Sequence, residues 1–119
     1  MIKEIAFTGS PVTDMKRARE FYEGMLGLKM TMESAGGMWV EYDLGGATFG
    51  LGCYGDVWKP QTDGTMVAFE VDDVDAELAR LKAKGVPVKM EPTSSPVCRF
   101  AIVSDPDGNK VMLHKRNAK

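Results

Sequence analysis

One histidine and two glutamates are the candidates for acid–base chemistry in this sequence. His114 is the only histidine among 119 residues, and an imidazole can act as a general base or as a pH-sensitive ligand contact. Glu41 and Glu70 fall inside predicted strands, and a carboxylate close to His114 would raise the imidazole pKa and complete an acid–base pair. We therefore take His114, Glu41 and Glu70 as candidate catalytic residues. The alternative for each of them is a solvated surface side chain.

Aromatic side chains cluster around one predicted hairpin and the loop that follows it. Trp39, Phe49, Tyr54 and Trp58 bracket this region. They are either ordinary packing residues or a stacking wall for a planar ligand. Trp58 favours the second interpretation, because loops carry function and a tryptophan on a loop has little core to fill.

The two cysteines, Cys53 and Cys98, are too few for the disulfide framework of a small secreted domain. We expect reduced thiols and a cytoplasmic protein. Arg99 could lower the pKa of the neighbouring Cys98 thiol and make it reactive. The alternative is that Cys98 is a small hydrophobic strand residue.

Composition excludes several classes of partner. The chain carries 15 Lys and Arg against 17 Asp and Glu, for a formal net charge of −2, and no basic cluster that would attract nucleic acid. No apolar run approaches the roughly 18 residues that span a bilayer. The sequence begins Met-Ile-Lys-Glu-Ile, with an acid where a signal peptide would have its apolar stretch. We expect no nucleic-acid partner, no membrane partner and no export.

The elements that must position these residues occur twice. A strand-like stretch, an Asp-led helical stretch and a closing glycine recur at an offset of 58 or 59 residues, in the pairs Val12 and Val71, Asp14 and Asp73, and Gly27 and Gly85. Each helix is followed by a strand and a hairpin. The hairpin turns are Gly45-Gly46 and Asp105-Pro106-Asp107-Gly108. The chain therefore predicts two β-α-β-β-β modules.

Local signals support this prediction. An aspartate at the start of a helix accepts hydrogen bonds from free backbone N–H groups, and glycine can adopt the left-handed conformation that closes one. The predicted apolar side consists of Met15, Ala18, Tyr22, Met25 and Leu26 in the first helix and of Val74, Leu78 and Leu81 in the second. We predict an α+β fold whose two modules form a curved mixed sheet around a cleft, with the helices on the outer face. One domain then spans 1–119, with module 1 over about 1–54, a linker over about 55–64 and module 2 over about 65–119.

The chain resembles the vicinal oxygen chelate superfamily of glyoxalase I, bleomycin resistance proteins and extradiol dioxygenases. The resemblance covers essentially the whole chain. It is carried by Pro11-Val12-Thr13-Asp14, Arg17-Ala18-Arg19-Glu20-Phe21-Tyr22, Leu26-Gly27-Leu28, Val71-Asp72-Asp73-Val74 and Asp105-Pro106-Asp107-Gly108-Asn109. It implies a cleft-forming fold, and in the family's enzymes a divalent metal held by His and Glu side chains that acts as a Lewis acid.

The positions that would hold this metal carry no suitable donor here. They correspond to Phe7, Met66, Met112 and either Phe49 or Gly50, depending on register. Phenylalanine and glycine offer no ligand, and a thioether is a poor ligand for hard divalent ions. We therefore predict no metal at these positions, no cofactor, and an apolar cleft. A divalent metal at a relocated site of Glu41, Glu70 and His114 is the alternative.

Three functions remain open at this point. The first is binding of a small hydrophobic or aromatic molecule in a cleft lined by Phe7, Trp39, Phe49, Tyr54, Trp58, Met66 and Met112. The second is a lyase, isomerase or dioxygenase that uses the relocated metal or metal-free acid–base residues. The third is a non-catalytic scaffold with a filled cleft. The resemblance also implies a symmetric homodimer.

Overall fold

The computed structural model describes residues 1–118 and divides the chain into two compact units, Met1–Pro60 and Gln61–Lys119. Each unit has the element order β-α-β-β-β. The first contains β1 (Thr8–Pro11), α1 (Met15–Arg19), β2 (Met32–Ser34), β3 (Trp39–Asp43) and β4 (Thr48–Gly52). The second contains β5 (Val67–Glu70), α2 (Val74–Ala83), β6 (Val88–Ser94), β7 (Cys98–Ser104) and β8 (Lys110–Arg116). The predicted α+β class and the two modules are confirmed.

The two units also share their strand order. The sheets run β1-β4-β3-β2 and β5-β8-β7-β6, so the first and last strands of each unit lie side by side. These neighbours are parallel, and the other pairs are antiparallel. The sequence repeat is therefore a structural repeat.

The predicted helix boundaries are confirmed in both units. Asp14 accepts a hydrogen bond from the Arg17 N–H at 3.1 Å, and Asp73 accepts one from the Ala76 N–H at 3.0 Å. Gly27 and Gly85 have φ angles of +79° and +81°, which a side chain would disfavour.

The first helix changes its winding, which the sequence pattern did not predict. After α1 the chain continues as a π-helical segment, Glu20–Met25, and a short 3₁₀ turn (Ala35–Gly37) follows β2. The wider turn of the π-helical segment places Phe21 and Tyr22 side by side in the core, while Met15, Met25 and Leu26 stay partly exposed. Strict α-helical spacing therefore missed Phe21.

Each unit buries one face of its sheet beneath its helix. In the first unit the core consists of Val12, Ala18, Phe21, Tyr22, Val40, Tyr42, Phe49 and Leu51. In the second it consists of Val74, Leu78, Leu81, Val86, Ala101, Val103, Val111 and Leu113. Because side chains alternate along a strand, the residues between these core positions point to the other face, here called the helix-free face.

Turn chemistry closes the last hairpin of the second unit. The buried Asp105 accepts hydrogen bonds from the backbone N–H groups of Asp107 and Asn109, at 2.9 and 2.8 Å, and from the Asn109 amide. The carboxylate is thus occupied in holding the turn.

The helices of residues 1–118 lack the length and the hydrophobicity that spanning a lipid bilayer requires.

Candidate functional site

The helix-free face of the first sheet has a floor of glycines. Gly9 and Gly50 are register partners on β1 and β4, and Gly52 lies two residues further along β4. A Cβ atom built on Gly50 would lie 2.5 Å from the Trp39 ring. A Cβ on Gly52 or Gly9 would lie 2.7 or 2.8 Å from the Trp58 ring. The absence of side chains is therefore what allows the indole rings to lie directly on the sheet.

Trp39 is fixed from two directions above this floor. Its Nε1–H donates to Glu41 Oε2 at 2.7 Å, and the Phe7 ring packs edge-on against it with a centroid distance of 5.0 Å and an interplanar angle of 70°. Glu41 points to this face because it is the register partner of Gly50. The candidate catalytic residue Glu41 thus holds an indole ring in place.

A tight loop brings Trp58 to the same face. The backbone N–H groups of Val57 and Trp58 both donate to the Tyr54 carbonyl, at 2.9 and 2.8 Å, and this folds the loop back. Tyr54 itself lies against Gly52, at 3.1 Å from a Cβ built there. We call the four rings of Phe7, Trp39, Tyr54 and Trp58, lying over these glycines, the aromatic platform.

Two polar groups of the platform remain available to a ligand. The indole N–H of Trp58 and the Oε1 atom of Glu41 have no hydrogen-bond partner within residues 1–118. Trp58 is partly buried and Phe7 is 48% exposed. The platform therefore offers apolar ring surface together with one donor and one acceptor.

The structure places Phe49 apart from the other predicted ligand-binding aromatics. Phe49 is only 2% exposed and packs against the rings of Tyr22 and Tyr42, with centroid distances of 5.2 and 6.2 Å. It belongs to the core under α1, and Gly50 is the residue that faces the platform. The sequence left this choice open, because a one-residue change in register moves a side chain to the other face.

The helix-free face of the second sheet is built from side chains instead of glycines. Ala68, Met112 and Ile102 form one cross-strand row, and Glu70, His114 and Phe100 form the next. Met66, predicted with Met112 as a ligand contact, lies one residue before β5 and is partly buried. These side chains fill the places that the glycines leave empty in the first unit.

The structure brings Glu70 and His114 together at the end of this face. His114 Nδ1 lies 2.5 Å from Glu70 Oε1, and the Arg116 backbone N–H donates to Glu70 Oε2 at 2.7 Å. The Arg116 hydrogen bond, followed by that of His114, lowers the pKa of Glu70 below its ordinary value. Glu70 is therefore ionised at neutral pH and holds one ring nitrogen of His114.

The residues at the family's metal positions do not fit a divalent ion. Phe7 and Gly50 belong to the aromatic platform and its floor, and Met66 and Met112 offer only thioethers. Within residues 1–118, no three His, Cys, Asp or Glu side chains are grouped as metal ligands. Glu41 lies in the first unit, and Glu70 and His114 lie in the second. Glu41 instead holds Trp39, and Glu70 holds His114.

Both cysteines are free thiols and partly buried. Cys98 Sγ lies 3.2 Å from the Ser95 hydroxyl, in the turn that leads into β7. The Arg99 guanidinium is paired with Asp75, at 2.7 and 2.8 Å. That pairing takes up the guanidinium that would have activated the thiol.

Sequence reasoning missed the glycines as functional residues. The signal was present as glycine at alternate positions, Gly50 and Gly52, within a predicted strand, which marks close approach of another group. What the sequence did not show is that Trp39 and Trp58 are the groups that approach.

Comparison with known proteins assigns the family. Residues 4–113 match the model of the Glyoxalase/Bleomycin resistance protein/Dioxygenase superfamily. The chain belongs to this superfamily. "Putative glyoxylase CFP32" of Mycobacterium bovis is 39% identical over 94 residues, which are 76% of this chain and 36% of that protein. This superfamily member therefore spans about a third of the length of its curated relative.

Solved structures of similar length extend the comparison. TnmS3, an antibiotic binding protein from Streptomyces sp. CB03234, is 29% identical with a TM-score of 0.78, over 98% of both chains. A glyoxalase/bleomycin resistance protein from the same organism is 30% identical with a TM-score of 0.74, over 94% of this chain and 100% of its own. TnmS3, which is similar to this chain over almost its whole length, is thus an antibiotic binding protein.

Proposed function

We propose that this protein binds a planar aromatic small molecule on the aromatic platform of its first unit. The observation that carries the proposal is the contact of the Trp39 and Trp58 rings with a glycine floor. A flat ligand would stack on these rings, and aromatic pairs contribute about 0.5–1.5 kcal/mol beyond the burial of their surface.

The polar groups at the platform give the ligand an orientation. The Trp58 indole N–H would donate to a carbonyl or hydroxyl oxygen of the ligand, and Glu41 Oε1 would accept from a hydroxyl or amine. Small-molecule sites commonly combine apolar walls with a few such polar groups. Glu41 therefore has two roles in this proposal, holding Trp39 and contacting the ligand.

The similarity to TnmS3 supports a binding role. That protein is described as antibiotic binding, and its similarity covers 98% of each chain. The metal positions, which lack nitrogen and oxygen donors, also favour binding over metal-assisted catalysis. Residence in the cytoplasm and assembly as a homodimer remain proposals that follow from the family resemblance and the free thiols.

Nuclear magnetic resonance gives a direct test, because the only two tryptophans of the chain both lie on the platform. The two indole N–H signals report this site alone. We expect both to shift on titration with 2-naphthol. The saturated analogue decahydro-2-naphthol, which has the same ring skeleton and hydroxyl but no π-face, should cause much smaller shifts.

Substitutions of the platform define the contact. We expect Trp58→Ala to weaken 2-naphthol binding about tenfold and Trp58→Phe to retain most of the affinity, since a phenyl ring can still stack. A Cβ atom at Gly55 would meet only open space, so Gly55→Ala serves as a control in the same loop. If 2-naphthol and its saturated analogue shift the indole signals equally, or not at all, the stacking proposal is wrong.

A further inference from the structure

A second groove lies in the second unit, next to the His114–Glu70 pair. Its volume is about 380 Å³. It is lined by Pro96, Val97, His114, Arg116, Asn117 and Ala118. The apolar Val97 is 69% exposed there. The groove thus combines an apolar wall with an imidazole and a guanidinium, which are absent from the aromatic platform.

Glu70 determines which nitrogen of His114 is available. The ionised carboxylate accepts from Nδ1–H at 2.5 Å. In the neutral imidazole the other nitrogen, Nε2, then carries the lone pair. The His114 ring makes no further hydrogen bond within residues 1–118, and the side chain is 21% exposed. Nε2 is therefore an oriented acceptor without a protein partner in the described chain.

Arg116 supplies a cation beside this acceptor. Its backbone N–H is held by Glu70 Oε2 at 2.7 Å. Its guanidinium has no ion pair or hydrogen bond within residues 1–118. His114 and Arg116 are separated by one residue on β8 and so point to the same face. The planar guanidinium matches a carboxylate with two parallel hydrogen bonds.

The strand neighbours of His114 and Arg116 add no second cation to this face. Glu70 faces it from β5, Phe100 is its register partner on β7, and Cys98 is the register partner of Arg116. The charged Lys115 alternates to the opposite face of β8. An anionic group entering the groove therefore meets Arg116, since Glu70 already uses both oxygens within the protein.

We propose that this groove is a second small-molecule site, for an organic carboxylate that carries a hydroxyl group. Arg116 binds the carboxylate, and His114 Nε2 accepts a hydrogen bond from the hydroxyl. Pro96 and Val97 contact the apolar remainder of the molecule. Glu70 is a positioning residue, which acts through His114.

The single histidine makes the imidazole directly observable. In ¹⁵N spectra of the full chain at pH 8, we expect the Nδ1–H tautomer of His114. Titration with mandelate, which carries a carboxylate, a hydroxyl and a phenyl ring, should shift the Nε2 signal. Phenylacetate lacks only the hydroxyl and should bind about tenfold more weakly, with little shift of Nε2.

Three variants separate the roles of these residues. Arg116→Ala should weaken mandelate binding about tenfold or more, because it removes the charged partner of the carboxylate. Lys115→Ala removes an equal charge from the opposite face and should leave binding unchanged. Glu70→Gln should lose the single-tautomer signature of the free protein and weaken mandelate binding.

Two results would overturn the proposal. The first is the absence of any Nε2 shift with mandelate or with lactate, a smaller hydroxycarboxylate, at concentrations of tens of millimolar. The second is equal weakening by Arg116→Ala and Lys115→Ala, which would show only general charge attraction. Because the indole signals report the platform separately, failure here is distinguishable from failure of stacking there.

Discussion

The helix-free faces of the two units have the same strand order, but they carry different side chains at matching positions. In register, the row Gly9, Gly50 and Glu41 corresponds to Ala68, Met112 and Ile102. The row Pro11, Gly52 and Trp39 corresponds to Glu70, His114 and Phe100. In the first unit, β4 presents glycines to this face, and the rings of Trp39 and Trp58 lie over them. The second covers the same strand with its own side chains.

This difference shows that the repeated module determines the strand order but not which side chains line the helix-free face. Where the central strand carries glycine, aromatic rings reach the backbone and form a stacking surface. Where it carries Met112 and His114, the face is covered by apolar side chains and ends at the hydrogen-bonded pair of Glu70 and His114. The same strand order therefore carries two different surfaces in one chain.

The helix-covered faces differ as well. In the first unit the Tyr42 hydroxyl donates to Glu23 at 2.8 Å, and Glu23 also accepts from Arg19 at 2.6 Å. The core strands β7 and β8 of the second unit contribute only aliphatic side chains to the helix. The polar network lies on the π-helical segment, which points Glu23 toward the sheet.

The largest expected effect comes from adding one methyl group to the glycine floor. Gly50→Ala would place a Cβ 2.5 Å from the Trp39 ring, and we expect the free energy of unfolding to fall by about 1–3 kcal/mol because the indole must move. Chemical denaturation measures this. Gly55→Ala, in open space, should change stability by less than about 0.5 kcal/mol. If both substitutions lowered the free energy of unfolding equally, close contact between Trp39 and the glycine floor would not explain the effect of Gly50→Ala.

A smaller effect is expected from the polar network under the first helix. Tyr42→Phe removes a buried hydroxyl that donates to Glu23, so we expect the free energy of unfolding to fall by about 1 kcal/mol. Tyr54→Phe removes a hydroxyl without a hydrogen-bond partner within residues 1–118, and it should be close to neutral. A neutral Tyr42→Phe would mean that the network does not stabilise the first unit.

The smallest predicted difference concerns acid sensitivity. The Arg19 hydrogen bond, with a further contribution from Tyr42, lowers the pKa of Glu23 below its ordinary value of 4.5. The stabilisation is therefore complete above about pH 4.5 and is lost as the pH falls through the lowered folded-state pKa. Glu23→Gln should flatten this acid limb, as followed by denaturation at pH 3 to 7.

The matching substitution in the second unit sharpens the comparison. The pKa of Glu70 is also lowered, but its side chain is 53% exposed against 27% for Glu23. Solvent screens exposed pairs, so Glu70→Gln should flatten the acid limb less. A larger effect for Glu70 would place the acid-sensitive pair in the second unit.

Much of the fold could be predicted from local signals. Asp14 and Asp73 begin helices and Gly27 and Gly85 end them, because capping and left-handed backbone depend on a few neighbouring residues. The π-helical segment was not predicted, since the burial of Phe21 beside Tyr22 depends on packing against the sheet. The pairing of Glu70 with His114 was foreseen as a possibility, but it became a contact only when β5 and β8 were aligned.

The sequence by itself determined the repeat and the module order, because residue type and spacing along the chain are sufficient for these. Only the tertiary structure decided that Gly50, and not Phe49, faces the platform, since strand register selects the face. It also decided that Trp58 folds back onto Gly9 and Gly52, and that Glu41 holds an indole while Glu70 holds an imidazole. The contacts of Trp58 with Gly9 and of Glu70 with His114 join residues far apart in sequence, and no local propensity encodes them.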